Sequence, residues 1–271
     1  MAGSGRIRAG VGGWTFEPWR GVFYPKGLRQ ADELAFASRR LTAIEINGTY
    51  YSTFKPESFA KWRAATPDGF RFSVKASRFC TNRKVLAEAG SAVEVFLNQG
   101  LAELGDRLGP ILWQFMPTKK FEPADFEGFL KLLPDRIEGL PLRHVVEPRH
   151  ASFRDPAFIA LCRDHGAAIC LADHASYPLI PDVTSDIVYA RLQCGSDDVD
   201  TAYPAVEIDL WADRLQRFAQ GGRPDDLPPI DAAEPPREPR DVYAFVIHEG
   251  KVRAPAGARA LLERLREAPP E

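Results

Sequence analysis

The 271-residue chain sets 35 Lys+Arg against 37 Asp+Glu, with five His, a formal net charge of −2 and a pI near 6.3. That balance excludes a globally basic nucleic-acid coat, although a local basic patch offset elsewhere survives it. With 45% hydrophobic residues, the chain has ample apolar material for the core of one large domain.

The start, residues 1–8, has no apolar signal core, and the longest apolar runs, at 110–115 and 167–172, fall far below the roughly 18 residues that span a bilayer. A soluble, cytoplasmic protein without a membrane partner is expected. Short apolar or alternating runs then mark eight strands, at 7–12, 43–47, 70–75, 111–115, 142–147, 167–173, 187–193 and 242–248. After the first strand, Leu34, Phe36, Ala37 and Leu41 recur at helical spacing; after the third, Val93, Phe96, Leu97, Leu101 and Leu104 do the same. Ser91 with Glu94 reads as a capping box opening this second helix, which Gly109 closes. Asp155 before Pro156 reads as a cap with Pro at the first helical position, and Gly166 ends that helix. The stretch 174–186, with Pro178 and Pro181, is too short for a full crossover helix, so a loop or single turn is expected there. Residues 221–240 hold Pro224, Pro228, Pro229, Pro235, Pro236 and Pro239 among acids and read as an irregular surface insertion before the last strand.

Eight strands alternating with helices over this length fit a (β/α)8 TIM barrel, whose usual size is about 250 residues, as one domain over 1–271. The competing open doubly wound sheet calls for a glycine-rich phosphate loop after an early strand. Here the first strand runs Gly10, Val11, Gly12, Gly13, Trp14 with no GxGxxG or GK[ST] sequel. Cys80, Cys162, Cys170 and Cys194 form no CxxC pair and are expected as free thiols.

Strand parity sorts the polar residues, because alternate side chains face the helices or the lumen. Ile44 and Ile46 have helix-facing character and leave Glu45 and Asn47 inward; Phe70, Phe72 and Val74 leave Arg71, Ser73 and Lys75 inward. The same rule turns in Gln114, Glu147 and Arg149, Asp173, Tyr189 and Arg191, and His248. Nearly all sit in the C-terminal halves of their strands, and barrel enzymes place their sites on that face. Arg and Lys among carboxylates suit a small polar ligand, anionic, phosphorylated or sugar-like. The alternative is an ion-pair network of Glu45 or Glu147 with Lys75, Arg149 or Arg191 plugging the mouth.

If the protein is an enzyme, carboxylate acid/base hydrolysis is the first expectation. Glu147 or Glu45 would be the acid or base and Asp173 its orienter, with His150 beside Glu147 in the Glu147, Pro148, Arg149, His150 run. Lys75, Arg149 and Arg191 would hold the anion, and Asn47, Tyr50 and Gln114 the substrate, with Trp14, Tyr189 and His248 completing the binding set. No cofactor is expected: His150, Asp173, His174 and His248 show no HxH or HExxH spacing to support a metal. The aromatic group Trp14, Phe16, Trp19, Phe23, Tyr24, Tyr50, Tyr51 and Phe54 reads as a packed lid or as a stacking platform. Arg78, Arg83 and Lys84 could hold phosphates or form a solvated loop. Two other classes stay open: a nucleic-acid-binding or metal-dependent phosphodiesterase-like protein, and a non-catalytic ligand binder.

Several motifs occur in one order: Val11, Gly12, Gly13, Trp14; Trp19 through Pro25; Glu45, Ile46, Asn47, Gly48, Thr49, Tyr50, Tyr51; Thr66 through Ala76; Gln114 to Pro117; Glu147, Arg149, His150; Leu171, Ala172, Asp173; and Tyr189 to Leu192. In this the chain resembles the YecE-like family, domain of unknown function 72, over nearly its whole length. The resemblance implies a TIM barrel and places Glu45, Asn47, Tyr50, Lys75, Gln114, Glu147, Arg149, His150, Asp173 and Arg191 at motif positions of the barrel top. It implies little about activity. The chain departs from the family pattern at His248 and Glu249, at Cys194 and Gly195, and at Pro255 to Ala258, so the far side of the pocket is expected to differ.

Overall fold

A computed structural model describes residues 5–266. The barrel has eight strands, β1 (Ile7–Gly12), β2 (Ala43–Ile46), β3 (Arg71–Lys75), β4 (Leu108–Gln114), β5 (His144–Glu147), β6 (Ala168–Asp173), β7 (Ile187–Cys194) and β8 (Asp241–Glu249). Every neighbouring pair is parallel, and β8 hydrogen-bonds back to β1, so the sheet closes as the expected barrel. Among the described residues, seven α-helices of six residues or more lie outside it: α1 (Glu33–Ser38), α2 (Pro56–Ala65), α3 (Gly90–Leu97), α4 (Pro123–Leu130), α5 (Pro156–Asp164), α6 (Ala205–Ala219) and α7 (Ala254–Leu265). Residues 174–186, between β6 and β7, form no helix, and 221–240 form neither helix nor strand.

The apolar residues fall into two shells. Outward strand residues meet the helices in an aromatic-rich layer containing Trp113, Phe126, Phe129, Phe153 and Phe158, all buried. The lumen is filled by a second cluster, including Leu112, Cys170, Tyr189, Tyr243, Phe245 and Ile247, so the barrel is a packed core. Among the described residues no helix is long and apolar enough to cross a membrane. The four cysteines are free, three buried and Cys194 exposed.

Local signals hold at one helix and fail at another. Asp155 Oδ1 accepts the Ala157 N–H at 2.8 Å to cap α5, and Gly166, at φ +61°, ends it. The capping box at Ser91 does not form. Helix α3 starts one residue earlier at Gly90, which puts Ser91 inside the helix, where it cannot cap. Gly109 does not end a helix either; it lies in β4, where a Cβ would stand 2.7 Å from the Phe72 carbonyl oxygen. The aromatics of the first loop pack into a cluster: Trp19 and Tyr24 are buried and packed edge-on, Trp19 against Phe16, Phe23 and Tyr24 and Tyr24 against Phe36.

Candidate functional site

Short inward-pointing chains from neighbouring strands converge at the C-terminal end because the register aligns them: Glu45 lies opposite Ser73, Gln114 opposite Glu147, and Ala172 opposite Arg191. At the centre stands Arg191, 5% exposed, between two carboxylates that are fully buried. Its Nε and Nη2 each donate to Glu45 at 3.1 Å, and Nη1 donates to both Glu147 oxygens at 2.8 and 3.0 Å. Glu147 also accepts from Gln114 Nε2 at 2.7 Å and from Arg149 Nε and Nη2 at 3.0 and 2.9 Å. Tyr189 donates to Glu45 at 2.7 Å and shares a hydrogen bond with Ser73 at 2.8 Å. Such pairing is what permits two carboxylates to be buried at all.

The electrostatics follow. Burial pushes the Glu147 carboxyl up, but Arg191 and Arg149 outweigh it and hold it down at about 2. Burial opposes the Arg191 charge, yet Glu147 and Glu45 raise its pKa above the ordinary arginine value. At neutral pH Glu147 therefore carries no proton to give, and its oxygens are already occupied by guanidinium and amide donors. The ion-pair network weighed above is present, and a general-acid role for Glu147 does not fit it.

Lys75 is the exception in this site. It is 8% exposed, and among the described residues no carboxylate lies within ion-pair distance of its Nζ, which stands 4.2 Å from the centre of the Tyr50 ring. Burial, and then the nearby Arg191, lower its pKa to about 8 against the pull of Glu45 and Glu147. The buried Gln193, on the same inward parity of β7 as Tyr189 and Arg191, has both amide atoms without a hydrogen-bond partner among the described residues. Parity alone would have found Gln193; the prediction stopped at Arg191.

Other predicted residues stand apart from this network. The inward set on β6 is Ala168, Cys170 and Ala172, so Asp173 falls one residue out of phase. Its Oδ2 accepts from Tyr203 at 2.8 Å, and burial raises its pKa although that hydrogen bond opposes the rise. His150 caps the turn Ala151–Phe153 by accepting the Ser152 N–H at Nδ1. Trp14 packs against Trp62 and Phe72 on the outer side, so its indole belongs to the core. The register of β8 shifts between Val246 and Glu249, which leaves His248 exposed at φ +76°, with its ring 5.6 Å from that of His174. His174 stacks on Tyr177 at 3.7 Å, and Arg149 lies over the other ring, so an unpredicted His–Tyr–Arg stack borders the mouth. Asn47 is half-buried and donates weakly to the Glu45 carbonyl at 3.4 Å. Among the described residues no three His, Cys, Asp or Glu side chains cluster as metal ligands.

The model of the family described as "Protein of unknown function DUF72" matches residues 8–271. The chain belongs to the DUF72 family. The UPF0759 protein YecE of Escherichia coli (strain K12) is 29% identical over 147 residues, 54% of this chain and 50% of YecE; the match spans about half the length of that relative. A DUF72 family protein from Enterococcus faecalis V583 superposes with a TM-score of 0.70 at 18% identity, covering 96% of this chain and 95% of the other. One from Thermotoga maritima MSB8 gives 0.69 at 21%, covering 96% and 98%. SacUVDE shares the fold more distantly, at a TM-score of 0.55 and 11% identity over 97% of this chain and 100% of its own. The family and barrel read from the motifs are thus those of this DUF72 chain.

Proposed function

We propose that the C-terminal mouth of this DUF72 barrel binds a small polar anion, phosphorylated or sugar-like, on Lys75. In any turnover, Lys75 rather than a carboxylate moves the proton. One observation carries this reading. Every other charged side chain of the inward network has a full counter-charge, while Lys75 is held desolvated and unpaired beside it. A buried ammonium without a partner is destabilising unless something else compensates it, and a bound anion does so. Lowered to about 8, Lys75 also exchanges its proton near neutral pH, which the arginines around it do not. The unpaired Gln193 amide supports a polar ligand by offering a donor and an acceptor from the same end of the barrel. Glu45, Glu147, Gln114 and Tyr189 then act as positioning residues that fix Arg191. In this reading Arg149 and Tyr50 border the ligand.

The test is native mass spectrometry after incubation with a fractionated metabolite extract, comparing wild type with Lys75→Met. Retention of an anionic species by wild type alone is expected. Equal retention by both overturns the reading.

A second reading rests on the rim beside Lys75. Phe79 is 64% and Tyr51 63% exposed, and the Arg78 guanidinium lies 5.4 Å from the Phe79 ring. An exposed aromatic with a cation suits stacking and phosphate contact with a single-stranded nucleic acid. Salt-dependent retention on DNA or RNA that falls in Phe79→Ala would favour it over the small ligand.

A further inference from the structure

The opposite, N-terminal end of the barrel holds a cavity of about 240 Å³, lined by Arg8, Arg71, Arg143, Asp106, Asp241 and Tyr243 among others. Most of these charges are already matched. Arg8 donates from Nη1 to Asp241 at 2.9 Å with its guanidinium over the Tyr243 ring at 5.3 Å. Arg143 grips Asp186 through Nε and Nη2 at 3.0 and 2.7 Å. Asp106 accepts from Arg63 at 3.0 Å and from Arg107. Among the described residues no carboxylate lies within ion-pair distance of Arg71, which feels Asp106 only at longer range and whose hydrogen bond goes to the carbonyl of its own neighbour, Phe70, at 3.0 Å. Arg8, 5% exposed, keeps its Nε buried without a partner. Burial, followed by repulsion from Arg8, disfavours the Arg71 charge.

From this arrangement we infer that the floor cavity is a binding site for a small oxyanion, with Arg71 as its principal ligand and Arg8 as the neighbouring cation. An oxyanion supplies the counter-charge Arg71 lacks. A guanidinium fork matches two oxygens of phosphate or sulfate at once. The cavity exceeds one water's share of liquid volume, about 30 Å³, several-fold and so has room for such a group. The inference is independent of the mouth, because Arg71 and Lys75 sit at opposite ends of β3.

Inorganic phosphate is the first probe. Its affinity is measured by ³¹P line broadening and by thermal shift against chloride at matched ionic strength, for wild type, Arg71→Met, Arg71→Lys and Lys75→Met. Lys75→Met removes any phosphate held at the mouth and should leave the Arg71-dependent share of binding in place. Arg71→Met should weaken phosphate about tenfold or more, the scale of one lost charge-assisted contact. Arg71→Lys keeps the charge without the fork and should fall between them, which retains a test if Arg71→Met folds poorly. Glycerol phosphate in parallel separates sources: binding of both supports a phosphorylated metabolite, and binding of inorganic phosphate alone supports a free ion in a closed pocket. No phosphate-specific binding by wild type, or binding lost in Lys75→Met and kept in Arg71→Met, overturns the inference.

Discussion

The two ends of the barrel follow the same plan with opposite chemical capacity. At the mouth, Glu45, Glu147, Arg191 and Arg149 neutralise one another and leave Lys75 without a carboxylate; at the floor, Arg8, Arg143, Asp106 and Asp241 are paired and leave Arg71. The difference is in the proton. An ammonium lowered to about 8 gains and loses it around neutral pH, whereas a guanidinium keeps it at any pH a protein survives. In the function proposed for it the mouth supports proton transfer, while the floor site inferred above only binds.

The largest expected effect breaks the mouth network at its centre. Arg191→Met leaves two fully buried carboxylates facing each other and should cost about 3–5 kcal/mol in chemical denaturation, as for other buried pairs that lose one partner. Arg8→Met is the matching change at the floor. It should cost about 1 kcal/mol or less, because Asp241 is 42% exposed and water takes over its solvation. Similar losses at both ends would erase the contrast.

Acid should act on the mouth next. The folded pKa of Glu147 lies below its unfolded value of 4.5, so its stabilisation is present above pH 4.5 and is lost as pH falls toward about 2. That contribution is on the order of 3 kcal/mol. In Glu147→Gln, stability followed by urea denaturation should decline less steeply across this window than in wild type. An unchanged slope would place the acid sensitivity elsewhere.

Lys75→Met should stabilise the protein at pH 7, by about 1–3 kcal/mol, since it removes a desolvated and unpaired charge. The folded pKa of about 8 is below the unfolded 10.5, so the unfolded chain binds more protons between them and wild-type stability rises with pH through that window. The advantage of Lys75→Met should therefore shrink from pH 8 to pH 10.5. Outside both ends, Asp155→Ala removes one helix cap and should cost about 1 kcal/mol, a baseline for ordinary surface structure.

The barrel was legible because strand–helix alternation and apolar parity are repeated signals that reinforce one another. Parity correctly turned Glu45, Ser73, Lys75, Gln114, Glu147, Tyr189 and Arg191 inward, since each lies within its strand and not past its last inward position. It failed at ends. Asp173 is one residue past the last inward position of β6, and the register shift after Val246 exposes His248. Which acid pairs with which base depends on distances across the lumen, and residue order does not encode those directly. For that reason Glu147 read as an acid or base, although Arg191 and Arg149 occupy it. The isolation of Lys75 and of Arg71 was illegible on the same ground, because a missing partner appears only once every neighbour is placed.

The most direct measurement is the titration of Lys75 itself, followed by NMR of ¹³Cε-labelled lysine and assigned with Lys75→Met. A resonance titrating near 8 is expected for a buried, unpaired ammonium at the mouth. Titration at the ordinary 10.5 would mean that Lys75 is solvated or paired, and would contradict the account.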